Sequence, residues 1–174
     1  MSGRSLRASI NQMEVGTLQE VAGLWSFQYG AGWLGNPRGF ALSPHLPLTA
    51  ESLLDGASKR PVQWYFDNLL PEEGQRILLA GDAKLDAADA FGLLAWYGAE
   101  SAGSVTLLPP EAAPQLAEPL RPLPDDALQA RIRQLPKAPL THAAIKRMSL
   151  AGAQHKLAVV LQDDALFEPA GATP

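Results

Sequence analysis

The stretch with the clearest capacity for chemistry runs Ser149-Leu-Ala-Gly-Ala-Gln-His-Lys156, directly ahead of an apolar run. Ala151, Gly152 and Ala153 carry little or no side chain, so a ligand can approach their backbone closely and meet N–H groups. Lys146, Arg147 and Lys156 bring positive charge to the same place. Backbone donors joined to cations are what small-residue loops offer to nucleotide phosphates. The candidate nucleotide-binding residues are therefore Ala151, Gly152, Ala153, Gln154, His155 and Lys156. The segment has neither the Gly-x-x-x-x-Gly-Lys-Ser/Thr spacing of a P-loop nor Gly-x-Gly-x-x-Gly. On residue types alone the commoner explanation is a turn entering a hairpin with solvated lysines around it, in which Ser149 only hydrogen-bonds the turn.

Other chemistries find less material. His45, His142 and His155 are far apart, with no His-x-x-x-His pairing, so no metal site is expected within the chain. The absence of cysteine excludes disulfides, thiolate catalysis and sulfur-held zinc or iron. There is no Gly-x-Ser-x-Gly elbow. Asp67 with Glu72 and Glu73 could pair as acid and base, but Asp67-Asn68 before Leu-Leu-Pro reads more simply as helix-end and turn chemistry. Trp25, Trp33, Trp64 and Trp96 have apolar neighbours and are expected in the core. No catalytic set is expected.

The elements that must carry these residues follow from pattern. Leu6 to Ile10 and Val15 to Leu18 flank a turn at Asn11 to Glu14, and Trp25 to Tyr29 alternates as a third strand. Gly30 to Pro47, rich in Gly, Pro and Ser, is expected as an irregular packed loop. Helices are expected over Gln63 to Leu69, over Glu72 to Leu79 after Pro71, and over Ala87 to Tyr97 before Gly98, with Asp86 or Asp89 as a cap. On that last helix Phe91, Leu94 and Tyr97 would share one buried face. Ser104 to Leu108 is β-branched and apolar, a strand returning to the sheet. This is an α+β module. From Pro109 to Pro124 six prolines in sixteen residues predict an extended connector that marks a boundary. Asp125 or Asp126 is placed to cap a helix ending near Leu135, and Leu157 to Leu161 with Ala165 to Glu168 bracket Gln162-Asp163-Asp164 as a hairpin.

The division expected is thus 1–108, a connector over 109–124, and a short second unit over 125–174 that is below the size of a self-sufficient domain. The chain has 174 residues, 47% hydrophobic and 18% charged, which suits a folded protein able to bury a core. Its net charge of -4 speaks against direct nucleic-acid binding. The charge is segregated: eleven acidic against three basic residues from Pro61 to Asp126, then six basic and no acidic residues from Ala127 to Gln162. No run of about 18 uncharged apolar residues exists and no secretion signal opens the chain, so a soluble, cytoplasmic protein away from membranes is expected.

Four stretches taken in order resemble the N-terminal region of the HipA family, the serine/threonine kinase toxins of bacterial toxin–antitoxin systems. They are Ile10-Asn-Gln-Met-Glu-Val-Gly-Thr-Leu18, Tyr65-Phe-Asp-Asn-Leu-Leu-Pro-Glu72, Gly98-Ala-Glu-Ser-Ala-Gly-Ser-Val-Thr-Leu-Leu-Pro109 and Ser149-Leu-Ala-Gly-Ala-Gln-His-Lys156. The resemblance implies that 1–108 is the family's small N-terminal subdomain and that 125–174 opens a kinase core, with 151–156 in the mobile loop that covers ATP phosphates. Ser149 then matches the serine that the family autophosphorylates. His155 falls where members of the family vary, and His45 departs from the family's tendency to serine in that stretch. The resemblance also implies that Gly171 to Pro174 stops just short of the strand bearing the ATP-binding lysine. The chain is therefore expected to lack the catalytic half, to be inactive alone, and to bind ATP and Mg weakly if at all. Implied partners are a kinase core, in cis or in trans, and a HipB-like DNA-binding antitoxin; an aminoacyl-tRNA synthetase is the type of substrate implied. The alternative role is a stand-alone regulator that binds and inhibits a separately encoded kinase core.

Overall fold

The computed structural model describes residues 3–100, 104–113, 119–135, 137–138 and 156–169. Strands β1 (Arg4–Ile10) and β2 (Met13–Val21) form an antiparallel hairpin in register Ile10 to Met13. Its turn needs only Asn11 and Gln12, both at positive φ (49° and 66°), the geometry whose twist matches that of the strands it joins. A second tight turn at Ala22 and Gly23, φ 52° and 77°, leads to β3 (Leu24–Tyr29). Alternation along these strands, broken once where the β1–β2 register shifts at Ala8 and Ser9 and Val15 is left as the extra residue, puts Leu6, Ala8, Ile10, Val15, Leu18, Trp25, Phe27 and Tyr29 on the buried side. Gly16 lies in β2 because a Cβ there would sit 2.2 Å from the carbonyl oxygen of Gln28 on β3.

After β3 the chain makes a short helix, α1 (Ala31–Leu34), and an irregular loop held by the Tyr29 hydroxyl, which donates to Leu46 O at 2.7 Å and accepts from Leu42 N at 2.8 Å. The two-residue strand β4 (Leu53–Leu54) pairs with β3. Helix α2 (Pro61–Asp67) starts two residues earlier than its apolar pattern predicts, because Pro61 fits the first turn, where its missing N–H costs nothing. Its remaining first-turn donors reach back to Asp55: Val62 N at 2.9 Å and Gln63 N at 3.0 Å. Asp55 is 2% exposed and caps the helix from outside it.

Helix α3 (Glu73–Ala83) ends at Lys84 in the left-handed conformation. Helix α4 (Ala90–Tyr97) begins three residues later than predicted, since Asp86 turns the chain by accepting from Ala88 N and Asp89 then caps the helix through Gly92 N at 3.0 Å. Its buried side takes in Phe91, Leu94 and Tyr97 as predicted, and Ala90 and Leu93 as well. Past Gly98, strand β5 (Val105–Leu108) returns antiparallel to β1 and completes the sheet β4-β3-β2-β1-β5. Gly98 lies so close to β5 that a Cβ would be 2.6 Å from Cβ of Leu107.

The helices cover one face of this sheet: Trp25 meets Phe91 at 5.1 Å and Phe27 meets Phe66 at 5.3 Å between ring centroids. The resulting core is drawn from Leu6 to Leu107. Two tryptophans expected in it are not there. Trp64 is 56% exposed and Trp96 61%, because each falls opposite the buried stripe of its own helix.

A second, three-stranded sheet joins β6 (Arg121–Pro122), β7 (Val160–Gln162) and β8 (Ala165–Glu168) in the order β6-β8-β7. The β7–β8 turn is Asp163-Asp164, again two residues at positive φ (49° and 60°). The end of the proline-rich stretch is therefore packed, contrary to its reading as a bare connector. Arg121 and Pro122 pair with Glu168 and Phe167, and Leu123, 3% exposed, donates its N–H to Leu166 O at 2.8 Å. Pro122 is tolerated there because an edge strand can face its missing donor outward. Helix α5 (Asp125–Arg133) follows, and Pro124 stands at its N-cap. Asp125 and Asp126 occupy its first turn, where they complement the helix dipole rather than cap it with a side chain. Among the described residues no helix is long and apolar enough to cross a membrane.

Candidate functional site

Ser149 and Ala151, Gly152, Ala153, Gln154 and His155 lie outside the described residues. Lys156 is described and exposed; from it the chain passes through half-buried Leu157 and Ala158 into β7. The candidate segment therefore feeds the β7–β8 hairpin. Its support is α5, whose Arg131 forms a largely buried ion pair with Glu168 on β8, with side chains 13% and 8% exposed. One of the six cations in the basic stretch is thereby committed to holding helix to sheet and is not presented to a ligand. Arg133 on the same helix donates to Gln129 Oε1 at 3.2 Å.

The other titratable candidates have structural partners. Asp67 accepts from Arg76 Nη1 at 2.7 Å, and Arg76 Nε donates to Ala87 O at 2.7 Å, so this carboxylate ties α2 to α3 and to the turn before α4. It is not paired with Glu72 or Glu73, which are exposed. His45 is exposed, in a turn where its backbone N–H donates to Ser43 Oγ. Burial raises Tyr29, with the Leu42 amide acting the other way; burial also raises Tyr65, reinforced by the neighbouring charge of Tyr29 when it ionises. Among the described residues there is no group of three or more His, Asp or Glu placed to hold a metal ion.

Sequence reasoning passed over a cleft of about 300 Å³ beside the β1–β2 turn, lined by Ile10, Asn11, Met13, Trp33, Asn36, Arg38 and Phe40. Trp33 forms its floor, 3% exposed, with its indole N–H on Phe40 O at 3.0 Å and its ring against Phe40 at 5.3 Å. Met13 and Phe40 stand half-exposed at the rim, and Asn36 Nδ2 donates to the Met13 sulfur at 3.0 Å. An apolar floor with amides and one guanidinium around it can take an apolar group that carries a polar or anionic end. The available signal was Phe40 close after Trp33 in a Gly- and Pro-rich stretch, where a second large aromatic has little packing reason to be.

Residues 6–108 match the family model described as the HipA N-terminal domain. A protein of Sinorhizobium fredii described as "Putative kinase Y4mE" is 38% identical over 157 residues, covering 87% of this chain and 36% of that protein. The solved structure of HipA from Shewanella oneidensis MR-1, determined as a complex of HipA, HipB and operator DNA, superposes with a TM-score of 0.70 at 23% identity. It covers 97% of this chain and 38% of that one. The chain thus spans little more than a third of the length of either.

Proposed function

The chain belongs to the family defined by the HipA N-terminal domain, and from that membership we propose that it is the N-terminal portion of a HipA-like serine/threonine kinase toxin of a toxin–antitoxin system. It supplies the N-terminal domain and the segment that lies over ATP phosphates, and it transfers no phosphate by itself. The observation that carries this reading is the similarity to a protein named as a kinase that continues across 87% of the chain, well past residue 108. Ala151 to Lys156 are the nucleotide-contacting residues of this reading, offering backbone donors and the Lys156 ammonium to phosphate oxygens. Phosphorylation of Ser149 would add roughly -1.5 to -2 charge. Set beside Lys146, Arg147 and Lys156, that charge draws the segment off the nucleotide and acts as an off-switch. Magnesium and the catalytic base belong to residues outside this sequence, as do those that complete the ATP site. A HipB-like DNA-binding protein is the proposed antitoxin partner, and the cytoplasm the proposed compartment.

Incubation of the chain with radiolabelled ATP, Mg and a generic protein substrate tests the proposal: no label transfer is expected, and clear transfer overturns it. A second reading has its own support, since the core is drawn from residues within 6–107, as a self-standing module requires. In that reading the chain is a regulator that binds a separately encoded kinase core and inhibits it. A pull-down with such a core, followed by its kinase assay, separates the two: stable inhibitory association favours the regulator.

A further inference from the structure

Arg7 on β1 stands in register with Leu108, the last residue of β5. Directly beyond Leu108 the chain turns, closed by Ala112 N donating to Pro109 O at 3.0 Å. The Arg7 guanidinium grips that turn at two points: Nη1 donates to Pro110 O at 3.2 Å and Nη2 to Ala112 O at 2.7 Å. Pro109 and Pro110 have no N–H, so strand pairing cannot extend through them, and at Pro110 only the carbonyl is open to a side chain from β1. A planar fork of donors is the side chain suited to span two of them, and a lysine ammonium is not.

We infer that Arg7 is a clamp that fixes the direction in which the chain leaves the first sheet, so that the proline-rich stretch starts from a set point rather than swinging about Leu108. This goes beyond the nucleotide reading and does not depend on it. The two sides of the clamp are about a hundred residues apart in sequence, at 103 and 105 residues of separation, so the contact reports tertiary design and not a local turn preference.

The test uses the whole chain and its Arg7→Ala and Arg7→Lys variants. Two readouts are followed under native conditions: cleavage after exposed Glu111 by a glutamate-specific protease, and hydrogen exchange at the Ala112 amide. Both require local opening of the turn. Loss of two charge-assisted hydrogen bonds should accelerate both by roughly tenfold in Arg7→Ala, and by a smaller factor in Arg7→Lys, while the fully buried Leu18 in β2 keeps its amide protection. If Leu18 protection collapses in Arg7→Ala, the Lys variant, which keeps the charge and the aliphatic stem, decides. Wild-type rates at Glu111 and Ala112 in a folded variant overturn the inference.

Discussion

Asp55 is the place where one atom pair most clearly sustains an element. Helix α2 has no side-chain cap of its own: Arg60 at its N-cap makes no such bond and Pro61 has no donor. Both remaining first-turn N–H groups depend on the Asp55 carboxylate, and Val62 is fully buried. In Asp55→Ala the Val62 N–H is stranded without water, a loss of about 1–3 kcal/mol. Removing a negative charge from the helix N-terminus adds about 0.3–1 kcal/mol. The half-exposed Gln63 N–H recovers a water and adds little. The sum is about 3 kcal/mol, which lowers the melting temperature of a domain near 100 residues by roughly 15 °C. Asp55→Asn keeps one acceptor oxygen and should lose only about 1 kcal/mol. The backbone bond from Asp55 N to Trp25 O at 2.8 Å survives both changes, so the loop path is retained. Urea unfolding followed by tryptophan fluorescence measures the losses. An Asp55→Ala midpoint indistinguishable from wild type refutes the capping argument.

Gly16→Ala forces a Cβ into the Gln28 carbonyl and should cost about 3 kcal/mol, seen as a lowered urea midpoint. Arg131→Ala leaves Glu168 buried and unpaired; a loss of about 3 kcal/mol is expected, confined to the second sheet and read as faster hydrogen exchange in β8. Tyr65 has a folded-state pKa raised above its ordinary 10.0, so its contribution to stability is complete below about pH 10 and is lost as pH rises through the folded value. Tyr65→Phe should accordingly flatten the decline of stability above pH 10, measured by thermal unfolding as pH is raised from neutrality.

Much of this architecture is legible in short-range pattern. The first hairpin, the returning strand Val105–Leu108 and the Asp163-Asp164 turn rest on alternation and on residues that tolerate positive φ, which are local properties. What escaped depends on distant partners. The Asp55 cap serves a helix that begins six residues later, and nothing adjacent to Asp55 announces it. Trp96 lies in Ala-Phe-Gly-Leu-Leu-Ala-Trp-Tyr, apolar on nearly every side, so its composition names no outward face. The pairing of Arg121-Pro122 with β8 was hidden because six prolines argue against a ladder, while an edge position excuses one of them. The segment proposed to contact nucleotide rests on residue types and on family resemblance, and only its last residue, Lys156, falls among the described ones.

The contact between Gly98 and Leu107 has a mechanical meaning. With no room for even a methyl group between them, the start of the 3-10 turn at 98–100 and the strand β5 move as one wall. Tension on the polypeptide beyond Leu108 therefore does not peel β5 away alone. It bears at once on the end of α4 and, through backbone pairing, on β1, so a tug from downstream is felt in the hydrophobic interior as shear.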